Sequence, residues 1–382
     1  MKTIKGGITT PLGFKANGIA SGIKRSGKLD LGLIFSERPA TASGVFTKNS
    51  VKAAPLLISQ KNLRHHQAQA VVVNSGNANC FTGSFGYLYA KKTTELFGKL
   101  LNVKPQHIVV ASTGIIGKPL PYLKIKAASQ KLVKGLANTQ DAGRKTAKAI
   151  LTTDLKTKEA CVRCTLDGKK VLIAGCAKGS GMIAPNMATM LGFITTDAAI
   201  SGGMLQAALR QANEETFNRI TIDGCMSTND MVVVMANGLA GNKPMTMPGK
   251  DYQGFLKALK FVCLDLAKKI VVDGEGATKL IEIRVTGAKS ESQAKTVGLQ
   301  IGNSVLVKTA AFGSNPNWGR VAAAVGSLAI KKVTEDHLKI KFSSFAKKHI
   351  VIHVDLNIGR HQSVVYTSDL SYEYVRINAE YN

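Results

Sequence analysis

A stretch near the middle of the chain carries a threonine in a setting that suits nucleophilic chemistry. It begins at Lys178, passes through glycines and Pro185, and reaches Thr189 just before an apolar run. Glycine permits unusual backbone conformations and proline removes a backbone donor, so the pattern predicts a loop that feeds a strand, Met190 to Ile194. A threonine that becomes an N-terminus gains an amine with a pKa of about 7.7–8.0, which can take its hydroxyl proton. Such a loop is also an ordinary connection, and these residues alone leave both interpretations open.

A second candidate is the tripeptide Ser112-Thr113-Gly114, which follows a predicted strand, Ile108 to Val110. One hydroxyl and one backbone N–H aimed at a common point form an oxyanion hole, which binds the negative charge of an acyl-transfer intermediate. The glycines after Thr113 do not have the spacing of a phosphate-binding loop, and a proline follows the lysine. The segment therefore indicates acyl chemistry better than phosphate binding.

The polar segment Asn74–Asn79 follows another predicted strand, Ala70 to Val73. Asparagine and glycine after a buried strand favour a tight turn with left-handed residues. The side-chain amides could also line a site, and the pattern does not decide between these two roles.

Two charged residues stand in loops of restricted geometry. Lys178 is the one cation of the central loop, and Glu275 is flanked by two glycines after a predicted helix. The ordinary interpretation is a solvated lysine and a turn carboxylate.

The elements that must position these residues alternate between helical and strand patterns, which is compatible with an α/β fold. Asp167-Gly168 is a hairpin signal between two of the predicted strands. The predicted helices are 88–101, 122–136, 141–151, 203–218 (with Ser201 as its cap) and 251–270, and the predicted strands are 31–35, 161–166, 171–174, 231–236, 279–285, 304–310, 345–356 and 363–367.

Composition narrows the class of protein. The chain has 382 residues, of which 45% are hydrophobic and 20% charged, as expected of a globular protein with a sizeable core. No apolar run approaches the roughly 18 residues of a membrane span, and the N-terminus lacks the apolar segment of a signal peptide. We therefore expect a cytoplasmic protein that does not bind membranes.

The net charge of +27 and the six cysteines suggest two further functions, and neither is favoured. The lysines are dispersed without interleaved aromatic residues, so the charge indicates a solvated surface rather than a nucleic-acid site. Cys161 and Cys164 form one C-x-x-C in a strand-like segment with no second pair, so we expect buried free thiols and no metal site.

The central segment closely resembles the self-cleavage segment of the ornithine acetyltransferase (glutamate N-acetyltransferase) family. The matching residues are Lys-Gly-Ser-Gly-Met-Ile-Ala-Pro-Asn-Met-Ala-Thr-Met-Leu, and weaker similarity extends from Pro11 to Tyr381. The resemblance implies a cut between Ala188 and Thr189 and a nucleophile at Thr189. It also implies an alpha chain, 1–188, a beta chain, 189–382, and an α/β fold of the α-β-β-α sandwich type.

The resemblance assigns roles to the other candidates. Thr113 and Gly114 would form the oxyanion hole, Lys178 would bind the substrate α-carboxylate, Glu275 would meet the distal ammonium of ornithine, and Asn378 would contact substrate. The implied reaction moves an acetyl group from N-acetylornithine to glutamate without cofactor or metal. Use of acetyl-coenzyme A as a second donor stays open, and the implied assembly of alpha and beta chains is a heterotetramer or larger.

The chain departs from the family pattern at a few places. Cys225, Met226 and Met231 replace polar residues, which puts in doubt a polar role for the loop 220–230, and Asn315 replaces an aspartate. The family's last residue has no counterpart after Asn382. These departures keep open an amidase or aminopeptidase on the same self-cleaving scaffold. The net charge keeps open a second alternative, a basic binding protein without activity.

Overall fold

The computed structural model describes residues 1–184 and 190–380, so Ala188 and Thr189 lie outside the described residues. The chain divides into two compact units. The first unit comprises Met1–Gly179, Ser227–Leu266 and the described residues up to Thr216 that follow the gap. The second comprises the segment that begins at Ser180, Phe217–Met226 and the remainder from Ala267.

Strands and helices alternate along the described ranges, which confirms the predicted α/β class. The strands are β1 (Lys2–Thr3), β2 (Phe14–Ile19), β3 (Leu31–Phe46), β4 (Gln67–Asn77), β5 (Ile108–Ile115), β6 (Lys158–Leu166), β7 (Lys169–Lys178), β8 (Leu191–Thr196), β9 (Ile220–Thr221), β10 (Met231–Ala236), β11 (Leu280–Ala288), β12 (Lys339–Phe342), β13 (His349–Asp355) and β14 (His361–Ser368). The helices are α1 (Ala54–Asn62), α2 (Gly83–Leu101), α3 (Tyr122–Lys134), α4 (Gln140–Ala149), α5 (Gly202–Glu215), α6 (Lys250–Val272), α7 (Glu291–Asn303), α8 (Val305–Phe312), α9 (Trp318–Gly326) and α10 (Tyr372–Glu380).

The first unit is built on a nine-stranded sheet. Its strands follow the order β1-β6-β7-β8-β10-β3-β4-β5, and β2 also pairs with β3. The parallel strands β8 and β10 are buried at every position, and β4 and β5 pair through the apolar runs 70–73 and 108–111, as expected of strands covered on both faces. Two clusters of fully buried side chains, one around Phe193 and one around Phe97, form its core.

Local sequence explains several elements of this unit. The predicted hairpin forms between β6 and β7, with Asp167 and Gly168 at φ of 48° and 70°. Thr139 caps α4 by accepting a hydrogen bond of 3.2 Å from the Ala142 N–H. Ser201 occupies the predicted cap position of α5, but its side chain makes no capping hydrogen bond.

The second unit is built on a five-stranded sheet in the order β12-β13-β11-β14-β9. Its core combines the inward residues of β11, β13 and β14 with apolar faces of α7, α8 and α9. One prediction is wrong here, because residues 304–310 form helix α8 rather than a strand. Ser304 caps that helix by accepting a hydrogen bond from the Val307 N–H, and this cap outweighs the strand preference of the local valines.

Helix α8 carries a buried cation. Lys308 is 3% exposed, and its Nζ donates to Thr367 Oγ1 at 2.9 Å and to the Ser368 carbonyl. Burial disfavours the ammonium and lowers the pKa of Lys308 to about 7, although Asp369 and Asp223 favour the charged form. Between that pH and the ordinary lysine pKa of about 10.4, the unfolded chain holds a proton that the folded chain has lost.

This difference predicts a pH dependence of stability. We expect the free energy of unfolding to rise with pH above about 7, with Lys308 contributing up to about 1.4 kcal/mol per pH unit. Urea unfolding at pH 7, 8 and 9 should show a shallower rise for Lys308→Met than for the wild type. The matched control Lys331→Met, at an exposed lysine, should keep the wild-type slope. Equal slopes for the wild type and Lys308→Met would contradict the assignment.

Candidate active site

The predicted oxyanion residues lie within a strand rather than in a loop. Thr113 and Gly114 belong to the end of β5, where they pair in parallel with Ser75 and Gly76 of β4. The prediction of loops at 74–79 and 111–114 is therefore wrong in part, because both strands continue into their polar residues through an irregular register. The predicted left-handed residues are confirmed at Gly76 and Asn79, with φ of 93° and 46°.

Gly114 has a structural reason to be glycine. Its φ is 127°, and a Cβ at this position would lie 2.5 Å from the Gly76 carbonyl carbon and 2.6 Å from the Asn77 nitrogen. The two strands approach each other too closely at this point for any side chain. The glycine thus fixes the path of the backbone that follows the Thr113 hydroxyl.

Lys178, the last residue of β7, lies beside Thr113. Its ammonium is 3% exposed and donates to Thr152 Oγ1 at 2.8 Å and to Thr113 Oγ1 at 3.5 Å. The fold therefore brings together two predicted site residues that are 65 positions apart in sequence. A cation and a hydroxyl this close together can bind neighbouring oxygens of one substrate.

The sequence analysis missed Asp154, which organises this cluster. Its buried carboxylate lies 2.6 Å from Lys158 Nζ and 3.9 Å from Lys178 Nζ, and it accepts a 2.7 Å hydrogen bond from the Gly179 N–H. Burial alone would raise the pKa of Asp154, but the two lysines overcome this effect and hold the pKa well below its usual range. Asp154 is therefore a buried anion that fixes the chain at Lys178 and Gly179.

In the second unit, Glu275 and Asn378 are in direct contact. Asn378 Nδ2 donates to Glu275 Oε2 at 2.8 Å, and the Glu275 N–H donates to the Ser180 carbonyl at 2.8 Å. A Cβ on Gly181 would lie 2.3 Å from Glu275 Oε2, so this carboxylate occupies the space that a side chain at 181 would need. Two residues that were predicted separately as substrate contacts, 103 positions apart in sequence, are thus neighbours in the second unit.

Asp223, another residue that the sequence analysis missed, holds the same segment. Its carboxylate accepts hydrogen bonds from the N–H groups of Met182 at 2.5 Å and Ile183 at 2.9 Å. Burial raises the pKa of Asp223, backbone hydrogen bonds oppose the rise, and Glu275 adds to it. The one sequence signal was an aspartate before a glycine at the end of a short strand, which is common in ordinary turns.

The loop 220–230, whose polar role was in doubt, contains an exposed cysteine as well as buried polar residues. Cys225 is exposed, but Asn229 and Asp230 are buried and hydrogen-bonded within the first unit. The doubt about a polar role was thus wrong for the second half of the loop. Asp230 binds the N–H of Met190, the first described residue after Thr189.

The cysteine prediction is confirmed for the C-x-x-C. Cys161 and Cys164 are free and buried, and burial raises the pKa of each thiol to about 11. Such thiols are poor nucleophiles at neutral pH. Within the described ranges, no three His, Cys, Asp or Glu side chains are grouped as metal ligands, and no helix is long and apolar enough to cross a bilayer.

Comparison with known proteins gives consistent matches over the whole chain. The model of the ArgJ family matches residues 15–346 and 342–382. The arginine biosynthesis bifunctional protein ArgJ of Bacillus thuringiensis subsp. konkukian is 46% identical over 403 residues, covering 100% of this chain and 97% of that protein. The protein of the same name from Geobacillus stearothermophilus is 46% identical, with coverage of 98% and 96%. The ornithine acetyltransferase of Mycobacterium tuberculosis, solved with ornithine, is 36% identical over 48% of this chain and 97% of that chain, with a TM-score of 0.43.

Proposed function

This chain belongs to the ArgJ family and is an acyltransferase of arginine biosynthesis, and from that premise we propose that it transfers the acetyl group of N-acetylornithine to glutamate through an acetyl-Thr189 intermediate. The chain first cuts itself between Ala188 and Thr189. Residues 1–188 and 189–382 then stay associated as alpha and beta chains in a cytoplasmic heterotetramer or larger assembly.

The observation that carries this proposal is the 3.5 Å distance between Lys178 Nζ and Thr113 Oγ1. In an N-acetylated amino acid, the acetyl nitrogen and the α-carboxylate are bonded to the same carbon atom. A donor whose acetyl oxygen binds Thr113 and Gly114 therefore brings its carboxylate within a few ångströms of that point. A buried cation beside the oxyanion donor suits such a substrate, because it pairs with the carboxylate by a charge-assisted bond.

Glu275 supports the choice of N-acetylornithine as the acetyl donor. Its carboxylate, held by the Asn378 amide, can bind a primary ammonium such as the one at the end of the ornithine side chain. Lys178 would then hold the α-carboxylate of donor and acceptor alike, and Glu275 would distinguish the amino acid with a distal ammonium. Glutamate and ornithine thus share the α-carboxylate subsite.

The chemistry proceeds in two steps. Thr189 Oγ attacks the acetyl carbon while the Thr189 α-amine takes the hydroxyl proton, and Thr113 and Gly114 stabilise the oxyanion. The carbon–nitrogen bond breaks, and ornithine leaves with that proton. The glutamate amine then attacks the acetyl ester, N-acetylglutamate leaves, and the Thr189 hydroxyl is restored. Acetyl-coenzyme A could acylate the same hydroxyl by the first step.

The test measures products with and without the acceptor. We expect the purified cut protein to release ornithine from N-acetylornithine in proportion to added glutamate, with N-acetylglutamate as co-product. Omitting glutamate should give no more than one equivalent of ornithine per site. Continuous release of acetate without glutamate would instead establish an amidase on the same scaffold, and acetylation of glutamate by acetyl-coenzyme A alone would establish the second donor.

The oxyanion role of Thr113 gives a separate prediction. Thr113→Ala should lower kcat for acetyl transfer by about 10²–10³-fold, because one donor to the developing negative charge is lost. Steady-state assays should show a much smaller effect of Thr113→Ser, which keeps the hydroxyl. Equal kcat values for the wild type and Thr113→Ala would assign the oxyanion to other groups.

A further inference from the structure

Two adjacent buried residues, Asn229 and Asp230, form hydrogen bonds with backbone groups of Ser112 and Met190, which are the neighbours in sequence of Thr113 and Thr189. Asp230 is fully buried, and its Oδ1 accepts a 2.9 Å hydrogen bond from the Met190 N–H. Because Met231 donates to the Met190 carbonyl at 3.2 Å, Met190 is held at both its nitrogen and its oxygen. The parallel pairing of β8 with β10, with Leu191 opposite Met231, places these residues side by side.

Asn229 binds the strand that carries the oxyanion donors. Its Nδ2 donates to the carbonyls of Ser112 at 2.8 Å and Ala78 at 2.7 Å, and the side chain is 4% exposed. Ser112 directly precedes Thr113 in β5. One side chain thus fixes the carbonyl next to the predicted oxyanion hole and, through Ala78, the end of the neighbouring segment.

We propose that the dipeptide Asn229-Asp230 is a positioning device that sets the position of Met190, the residue after the nucleophile Thr189, relative to strand β5, which carries the oxyanion donors Thr113 and Gly114. The proposal rests on the function proposed above. Met190 directly follows Thr189 in the chain, so this anchor lies on the residue after the proposed nucleophile. The two anchors are consecutive residues, and their separation is therefore set by one peptide unit.

The energetics of Asp230 favour a role in positioning over one in stability. Its second oxygen, Oδ2, is buried and has no hydrogen-bond partner among the described residues. Burial also raises the pKa of Asp230 well above its ordinary value. An acidic side chain buried in this way costs free energy of folding, and strongly perturbed pKa values cluster at functional sites. A buried apolar residue could not hold the Met190 N–H.

The first test follows self-cleavage of the full-length chain over time. Chains are pulse-labelled in a cell-free translation system, and the uncut fraction is measured on denaturing gels. Asp230→Ala should slow the cut on the order of 10²-fold, because a displacement of about 1 Å between reacting groups costs that much. Asp230→Asn keeps an oxygen acceptor for the Met190 N–H and should stay within about tenfold of the wild type.

A buried aspartate at the other end of β8 supplies the matched control. Asp197 is 1% exposed and accepts hydrogen bonds from the N–H groups of Leu172 at 2.8 Å and Leu12 at 3.2 Å. Asp197→Ala removes a similar buried anchor without touching Met190, and it should cut at nearly the wild-type rate. If Asp230→Ala cuts as fast as Asp197→Ala while the wild type also cuts, the positioning role is overturned. A wild type that never cuts would overturn the proposed function instead.

A second variant keeps the inference testable if Asp230→Ala fails to fold. Asn229→Ala should lower kcat for acetyl transfer by about tenfold or more, because the Ser112 carbonyl is released beside the oxyanion donors, while KM changes little. A purely structural role would lower the amount of folded protein without changing kcat per active site, counted by the acetyl-enzyme burst. A wild-type kcat for Asn229→Ala would therefore overturn the proposal.

Discussion

Replacing Thr189 by alanine is expected to leave one uncut chain of 382 residues, whereas the wild type should give two chains that separate between Ala188 and Thr189. In the proposed mechanism, the hydroxyl that carries the acetyl group first attacks the Ala188 carbonyl. Alanine has no such group, so both self-cleavage and acetyl transfer should be lost together. Intact mass under denaturing conditions distinguishes one chain of 40.6 kDa from two fragments whose summed mass is greater by one water.

Thr189→Ser tests whether the hydroxyl, rather than the threonine side chain as a whole, is required. Serine keeps the oxygen nucleophile, and its new N-terminus supplies the same α-amine, so this variant should cut and should retain measurable transfer. A Thr189→Ala protein that is cut at the same bond would exclude Thr189 as the agent of cleavage. An uncut wild type that nevertheless transfers acetyl groups would exclude the N-terminal amine as the base.

Local signals in the sequence were sufficient for many of the elements and for part of the site. The β6–β7 hairpin follows from Asp167-Gly168, because two consecutive left-handed residues are what a tight hairpin turn requires. The long helices follow from their apolar periodicity. Thr113 and Lys178 were both predicted, and the structure shows that they are neighbours. Their proximity could not be predicted from the sequence alone, because β5 and β7 are not adjacent strands of the sheet.

The missed residues owe their roles to tertiary pairing. The segment 152–158, Thr-Thr-Asp-Leu-Lys-Thr-Lys, has the composition of an exposed loop, yet Asp154 and Lys158 are almost completely buried against each other. Nothing in the local pattern marks a carboxylate whose partners come from β6 and β7. The wrong strand at 304–310 has a similar origin, because the cap at Ser304 and the packing of α8 decide between two patterns that valine and leucine allow equally.

Removing the Asp154 carboxylate is expected to have the largest effect on stability. Asp154→Asn would deprive two buried ammonium groups, Lys158 and Lys178, of the anion that lies within 4 Å of both. Breaking a buried ion pair at one partner typically costs about 3–5 kcal/mol, because the remaining charge stays buried. Urea unfolding should show this loss as a lower midpoint with an unchanged slope. By contrast, Asp141→Asn removes a solvent-exposed partner of Lys145 and should hardly move the midpoint.

The double variant Asp154→Asn with Lys158→Met tests whether charge burial causes the loss. Methionine has nearly the length of lysine without the charge, so the pair of changes leaves one buried ammonium fewer than Asp154→Asn alone. The double variant should therefore unfold at a higher urea concentration than the single variant. If the two variants unfold at the same urea concentration, the cost arises from the hydrogen bonds that Asp154 accepts from the N–H groups of Thr152 and Gly179 rather than from its charge.

In either case Lys178 loses the Asp154 carboxylate as its neighbour, so KM for N-acetylornithine should rise if Lys178 holds the substrate carboxylate. In the proposed mechanism a substrate subsite and a stabilising ion cluster would share the Asp154 carboxylate, which would explain why a residue so costly to bury lies close to Thr113.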